Sequence, residues 1–324
     1  MKAILFEKHG GPEVLEVRDV PDPEPGEGEV LVNVEVVGVN FRDVYERERE
    51  GYGADPPAII GTEAGGTTAD GERLAWAHGT ASYAERVAVP RAKTVPIPDG
   101  VPTDVAVAAL LQGMTAHYLA HDSYPIEAGD RVLVHAAAGG VGLLLTQMAK
   151  LRGAYVIGTA STDEKRAVAR QAGADEVVSY DELGGIRDAA AVYDGIGRTT
   201  FLAGLDTLRP TGRMILYGAA SGEPDPIDAR ILAAKGSLYV QRPTLATYTR
   251  TPELLRERAA AVYRLIADGQ LDVRIGHRYR LDEARRAHED LAARRTTGKL
   301  LLVPKALRMC VPGHPGTIAV EVDA

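Results

Sequence analysis

Cysteine is nearly absent from this chain. One thiol, Cys310, stands among 324 residues, so no intrachain disulfide can form and no zinc site can be built from several thiolates. Long apolar runs are missing as well. No stretch approaches the roughly 20 apolar residues of a membrane-spanning helix, and Met1-Lys2-Ala3 opens directly into a strand pattern with no signal-peptide signature. There is no excess of positive charge. The 37 Lys and Arg against 45 Asp and Glu give a net charge of −8, which argues against nucleic acid or an anionic membrane as the main partner while leaving room for a local basic pocket. What is present is ordinary for a globular chain: 45% apolar, 25% charged, and 35 glycines punctuating many short elements. The length allows two domains, each with its own core. A two-domain cytoplasmic protein is expected.

The stretch Arg131 to Lys150, RVLVHAAAGGVGLLLTQMAK, organises the rest. Val132 to His135 has the composition of a strand buried on both faces. A turn of small residues follows, and from Leu143 the chain is helix-forming, with Leu144, Leu145, Met148 and Leu151 able to share an apolar face. Strand, glycine-rich turn and helix together place free backbone N–H groups and a helix N-terminus where a pyrophosphate can bind. The three fingerprint slots fall on Ala137, Gly139 and Gly142. Ala in the first slot is tolerable if its φ stays negative. A turn that merely lets a helix pack on a strand is the alternative. The second apolar strand, Ala154 to Thr159, completes a βαβ unit and favours the dinucleotide reading.

Before this stretch the chain reads as a small β domain. An opening hairpin brackets His9-Gly10-Gly11-Pro12, Glu29 to Val39 alternates as a long strand, and a short helix follows from Asn40. Helices are expected at Val105 to Leu111 and Met114 to His121, then alternating strands and helices up to Ser237 to Val240. After the amphipathic helix Glu253 to Asp268, the elements around Tyr279, Asp282 to Arg294 and Lys299 to Val303 read as a return to the first domain. The expected fold is α/β: a Rossmann doubly wound parallel sheet, residues 119–254, inserted into a mainly antiparallel β domain of residues 1–118 and 255–304. Residues 305–324 are expected to be an extraneous or disordered tail, with an edge strand over Thr317 to Val322 as the alternative.

The motifs carry a resemblance. His9 to Leu15 (HGGPEVL), Gly38 to Asp43 (GVNFRD), Gly61-Thr62-Glu63, His135 to Leu143, Val192-Tyr193-Asp194, Tyr217-Gly218, Gly236 to Tyr239 with Arg242-Pro243, and Ala287-His288-Glu289 occur in order. The chain resembles the medium-chain dehydrogenases/reductases, and among them the zinc-independent quinone oxidoreductases related to zeta-crystallin, over residues 1 to about 304. The resemblance implies a GroES-like catalytic domain carrying the inserted Rossmann domain. Two departures stand out. Thr67 to His78 is abbreviated, and the residues beyond Pro304 extend past the usual family end.

Zinc-using relatives place a Cys after the long strand and a His-Glu pair near the following turn. Here those places hold Asn40-Phe41-Arg42-Asp43 and Thr62-Glu63, so no metal is expected and Glu63 reads as a structural acid. An NAD-selective fold carries Asp or Glu about twenty residues beyond the turn. That slot holds Ala160-Ser161. Ser161, Lys165 and the Tyr180 phenol would suit a 2′-phosphate, as the family's matching positions imply, and NADPH is the expected cofactor. Asp163 and Glu164 argue the other way, Lys165 alone would equally be a solvated helix residue, and Arg166 is an adjacent candidate.

The phosphates are expected on Ala138, Gly139, Gly140, Val141 and Gly142. The resemblance assigns Asp194-Gly195 and the segment Tyr217 to Gly222, with Tyr217, Gly218 and Ser221, to the nicotinamide end in the interdomain crevice, faced by Asn40, Tyr45, Thr62, Met114 and Thr115, with Lys299 near the C-terminal strand. Asn40 and Tyr45 are the candidates to hydrogen-bond a developing oxyanion. Tyr45 would equally serve as a wall aromatic, and Met114 and Thr115 as boundary packing. His135 reads as a packed histidine rather than an acid. The expected activity is NADPH-dependent reduction of a quinone without metal, the cofactor carrying the chemistry. Alternatives are reduction of an activated alkene, and a non-catalytic, crystallin-like NADPH-binding protein. Gly236 to Val240 resembles an edge strand through which relatives form a homodimer.

Overall fold

The computed structural model describes residues 1–49 and 53–304, together with the short paired strands Arg308–Met309 and Ile318–Ala319. Cys310 and the remainder of the expected tail lie outside the described residues. Two compact units divide the chain. The first gathers Met1–Leu111, Leu255–Tyr263 and Ile275–Ala324; the second gathers Gln112–Leu254 and Arg264–Arg274.

In the first unit the eleven-residue strand Glu29–Val39 forms where β-branched residues alternate with polar ones. A register shift between Val34 and Val36 interrupts the alternation at Glu35. Beyond it, every residue from Val36 to Val39 is buried. This strand is central to a seven-stranded sheet in the order Ile275–Arg280, Lys299–Val303, Glu29–Val39, Glu63–Thr68, Arg73–Trp76, Thr94–Pro96, with Arg86–Pro90 also pairing with Glu29–Val39. Only Ile275–Arg280 with Lys299–Val303 is parallel. Ile4, Phe6, Val37, Trp76, Tyr83, Leu300 and Leu302 share its core. The opening hairpin is present, Lys2–Phe6 pairing with Glu16–Asp19 and, on its other edge, with Ala58–Ile59. The abbreviated segment is a tight hairpin, Glu63–Thr68 to Arg73–Trp76, turned through Gly71 at φ +90°.

The second unit holds six parallel strands in the order Glu176–Val178, Tyr155–Thr159, Arg131–Val134, Ala189–Asp194, Leu208–Leu216, Tyr239–Gln241. Counted along the chain this is 3-2-1-4-5-6, the doubly wound arrangement. Its switch point lies between Arg131–Val134 and Ala189–Asp194, both of which are almost wholly buried. The fold is therefore the expected α/β one, a Rossmann-type parallel sheet accompanying a mainly antiparallel β unit.

One helix expectation changes. The two helices placed around Gln112-Gly113 are a single helix, Thr103–Tyr118, continuing as a π-helical turn Leu119–Ser123. Gly113 costs the helix about 1 kcal/mol, which burial of Leu110, Met114, Ala116 and Tyr118 outweighs.

Candidate active site

In the second unit the switch point is filled by the glycine-rich turn. Leaving Val134, His135 N–H donates to Tyr193 O (3.0 Å), Ala137 N–H to Thr159 O (2.9 Å) and Gly139 N–H to Ala136 O (2.8 Å). The left-handed residue is Ala136, at φ +50°, and not the first fingerprint slot. Ala137 keeps an ordinary backbone, which is why Ala serves in that slot. Gly139 then caps the helix Gly140–Leu151 without any side chain, leaving the first-turn N–H groups without intrahelical acceptors.

Each glycine has its own reason. A Cβ on Gly142 would lie 2.3 Å from Ala136 O and 2.8 Å from Ala137 Cα; one on Gly140 would lie 1.9 Å from Gln112 Oε1; one on Gly139 would lie 3.1 Å from Ala136 O. A tight cradle of small residues with outward N–H groups and the positive end of a helix fits a pyrophosphate.

The selectivity slot follows from register. Thr159 pairs with Val178, and Ala160 N–H donates to Val178 O (3.1 Å), so Ser161 and Tyr180 leave the same end of adjacent strands. Ser161 is exposed, and Lys165 and Tyr180 are half-buried. Thr162 caps the helix Asp163–Gln171, accepting from Lys165 N–H (3.2 Å). Asp163, which counted against a 2′-phosphate, is paired with Arg166 at 2.5 Å. His135 is buried, with Nδ1 3.0 Å from Thr159 Oγ1, and burial lowers its pKa, so it is a neutral packed residue.

At the ends of Ala189–Asp194 and Leu208–Leu216, Asp194 organises the loop that begins at Gly195. Its Oδ1 accepts from Ile196 N–H (2.7 Å), Gly197 N–H (3.0 Å) and the Thr200 hydroxyl (3.0 Å). The loop packs against Gly218, where a Cβ would meet Gly195 O at 2.8 Å. Ser221 closes the same loop, donating to Ile196 O (2.8 Å) and accepting from Thr199 N–H (3.1 Å). Tyr217 and Gly218 are half-buried and Thr115 is buried.

In the first unit, sheet register assembles a buried polar cluster. Leu300 faces Val39, and Glu63 faces Gly38, so Lys299, Asn40 and Glu63 meet at one sheet end. Gly38 is indispensable there, since a Cβ would lie 2.1 Å from Glu63 Oε2. Lys299 Nζ donates to Glu63 Oε2 (2.5 Å) and Asn40 Oδ1 (2.7 Å). Asn40 Nδ2 donates to Glu63 Oε2 (2.9 Å) and Gly38 O (3.3 Å), and Leu111 N–H donates to Glu63 Oε1 (2.7 Å). Glu63 is thus the structural acid expected of it. Asn40, by contrast, has both amide protons engaged. Tyr45 is half-buried, one helix turn from Phe41, with the Arg49 guanidinium 5.0 Å from its ring centre.

Beside this cluster lies Asp43, quoted above only as part of a motif. Oδ2 accepts from Asn40 N–H (2.8 Å) and the Tyr83 hydroxyl (3.0 Å), and Oδ1 accepts from the Thr62 hydroxyl (3.1 Å). Tyr83 is in turn 3.0 Å from His288 Nε2. Burial raises Asp43 to about 7 and lowers His288 to about 3. Among the described residues no three His, Cys, Asp or Glu side chains converge as metal ligands.

Known proteins share this architecture. Residues 140–260 match the zinc-binding dehydrogenase family. The chain is 40% identical to the quinone oxidoreductase of Pseudomonas aeruginosa, over 94% of this chain and 99% of that protein. It is 34% identical to the 2-haloacrylate reductase of a Burkholderia species, over 94% and 99%. The Escherichia coli quinone oxidoreductase, solved in complex with NADPH, superposes with a TM-score of 0.90 at 36% identity, covering 94% of this chain and all of that one. The chain belongs to the quinone oxidoreductases of the medium-chain dehydrogenase/reductase superfamily.

Proposed function

We propose that this protein is an NADPH-dependent quinone reductase. The observation that carries the cofactor half is the cradle at the switch point, with Ser161 and Tyr180 just past the strand ends where an NAD-selective fold would carry an acid, and Lys165 in the first turn of the helix Asp163–Gln171. The first-turn N–H groups from Gly140 to Gly142 bind the pyrophosphate, and Lys165 neutralises the 2′-phosphate. The Asp194-braced loop and Gly218 let backbone approach the nicotinamide closely. When bound, NADPH supplies the hydride.

In the first unit the Lys299–Glu63–Asn40 cluster holds the sheet end rigid, and Thr62 and Tyr45 are its candidate hydroxyls. Asn40, with no amide proton to spare, acts by orienting Lys299 rather than by meeting an oxyanion itself. The quinone half rests on similarity to the named relatives. A reductase of activated alkenes is the second reading, favoured by the 2-haloacrylate reductase at 34% identity. Proton delivery to carbon would make the Tyr45 phenol essential there.

Two further elements belong to the proposal: a cytoplasmic setting, and a homodimer joined through the outer strand Tyr239–Gln241, whose Tyr239 and Val240 are 57% and 39% exposed.

The test is a spectrophotometric comparison of NADPH and NADH oxidation with 1,4-naphthoquinone and with an enal, in wild type, Lys165→Ala and Tyr45→Phe. NADPH preference lost in Lys165→Ala and quinone turnover indifferent to Tyr45→Phe are expected. Equal NADPH kinetics in Lys165→Ala removes that residue from the site. Turnover of the enal alone, abolished in Tyr45→Phe, replaces the quinone reading with the alkene one.

A further inference from the structure

Arg166 is the fourth residue of the helix Asp163–Gln171, and helical side chains lean back toward the N-terminus. Its guanidinium returns to the strand end that the helix has just left. Nη1 donates to Ala160 O (3.4 Å) and Nη2 to Asp163 Oδ1 (2.5 Å). Ala160 N–H in turn donates to Val178 O on the neighbouring strand, so the guanidinium lies where Ser161 and Tyr180 emerge. Glu182 places it there independently. The Ser179 N–H and hydroxyl hold the Glu182 carboxyl below the usual range, and the charge of Arg166 adds to that lowering. Ser179 and Glu182 bracket Tyr180 in the chain, so the cation serves both strand exits.

The two bonds of Arg166 differ in kind. Ala160 O is backbone, fixed by the sheet. Asp163 is a surface carboxylate whose side chain is 98% exposed, against 21% for Arg166, so the ion pair is screened and weak. One arm of the fork is anchored in the protein, and the other is closed by a group that solvent easily takes back. A planar guanidinium with five N–H donors suits two-pronged recognition of a phosphate. Replacing Asp163 by a phosphate leaves the Ala160 anchor intact.

We propose that Arg166 is a specificity-determining residue, a second cation for the 2′-phosphate beside Lys165, and that Asp163 is its built-in competitor: the carboxylate holds the guanidinium in the free protein and gives way to the phosphate when the cofactor binds. The inference rests on the NADPH reading above and deepens it. The exchange favours the phosphate, which carries nearly two negative charges at neutral pH and three acceptor oxygens, over a carboxylate with one charge. A 2′-hydroxyl carries no charge to draw the guanidinium away, so the pair stays closed and NADH gains nothing from Arg166. Asp163 thus lowers affinity for the phosphate through Arg166, and not by facing the ribose.

The experiment isolates the 2′-phosphate. Dissociation constants for adenosine 2′,5′-bisphosphate and for 5′-AMP are measured by competition against NADPH fluorescence in wild type, Arg166→Ala, Asp163→Asn and the double variant. The ratio of the two constants reports the 2′-phosphate alone. Arg166→Ala should reduce the preference about tenfold, the worth of one charge-assisted hydrogen bond, and leave 5′-AMP unmoved. Asp163→Asn should raise the preference about two- to threefold, the scale of an exposed ion pair. In the Arg166→Ala background the Asp163→Asn change should lose that effect.

An Arg166→Ala protein that keeps the wild-type preference overturns the inference alone. So does an Asp163→Asn gain of equal size with and without Arg166, which would make Asp163 a direct repeller of the phosphate. A wild type that does not distinguish the two nucleotides overturns the NADPH reading beneath it. Should Arg166→Ala not fold, Arg166→Gln serves, since it removes the charge and keeps an amide donor for Ala160 O. It must show the same fall in preference, and an unchanged preference overturns the inference.

Discussion

Substituting each glycine of the turn by alanine should produce a graded loss, and the grading comes from what each new methyl would meet. At Gly142 it meets backbone: Ala136 O at 2.3 Å and Ala137 Cα at 2.8 Å. That carbonyl cannot swing aside, because it accepts Gly139 N–H at 2.8 Å and belongs to Ala136, already held at φ +50°. Relief requires moving the turn and giving up that bond. Overpacking of this kind costs about 1–3 kcal/mol and the hydrogen bond about 1 kcal/mol more. A total near 3 kcal/mol is about 100-fold in affinity if the bound turn must keep its native shape. At Gly140 the obstacle is the end of the Gln112 side chain, 1.9 Å away but able to rotate, so about 1 kcal/mol and a few-fold loss are expected. At Gly139 the contact is 3.1 Å with φ −80°, and the change should be within about threefold. The assay is fluorescence titration of NADPH beside thermal unfolding of the same three variants. A Gly142→Ala protein that binds within about twofold of wild type would refute the cradle, as would a reversed order. A fall in thermal stability for Gly142→Ala without any cofactor dependence would reduce the turn to a packing device.

Asp43 should leave a mark on stability. Its carboxyl holds a proton more tightly folded than unfolded, from 3.8 to about 7, so its contribution is complete at low pH and is lost as pH rises through about 4 to 7. Relative to Asp43→Asn, wild type should lose about 3 kcal/mol of unfolding free energy between pH 5 and pH 8. Urea titrations of both proteins at the two pH values decide it, and parallel behaviour rejects the buried acid. The outer strand makes a separate prediction. Light scattering should give twice the 34.5 kDa chain mass, and placing Asp at both Tyr239 and Val240 should halve it. A monomeric wild type removes the sheet-edge dimer.

Much of the second unit was legible because its chemistry is local in sequence. The strand, turn and helix of Arg131 to Lys150 are contiguous, and the strand-end slot near Ser161 lies one βαβ unit away, so composition and spacing suffice. Even there, several things escaped. The strained residue is Ala136 rather than Ala137, because which peptide flips depends on the Ala137 N–H bond to Thr159 O. The continuous helix Thr103–Tyr118 was divided at Gly113 because a glycine's local cost is visible in sequence and the burial around it is not. Asp194-Gly195 was expected at the nicotinamide end; that the Asp194 carboxylate holds three donors of the following loop depends on the fold of that loop. Arg166 neutralises the very Asp163 that weakened the phosphate argument.

The first unit is harder to read, because its site is a product of register. Lys299 and Asn40 are brought together by Leu300 facing Val39, and Glu63 joins them because it faces a glycine. No pattern within either segment announces the other. The same register gives two neighbouring acids opposite electrostatic settings. Glu63 touches a cation, Lys299, at 2.5 Å. Asp43 is held by an amide N–H and two hydroxyls, with the charges of Lys299 and Arg42 acting only from a distance. Neutral donors stabilise a buried carboxylate less than a contacting cation does, and burial raises Asp43 to about 7. That acid's Oδ1 accepts from the Thr62 hydroxyl. Proton sensitivity at the sheet end is therefore a consequence of which carboxylate the register left without a contacting counter-ion.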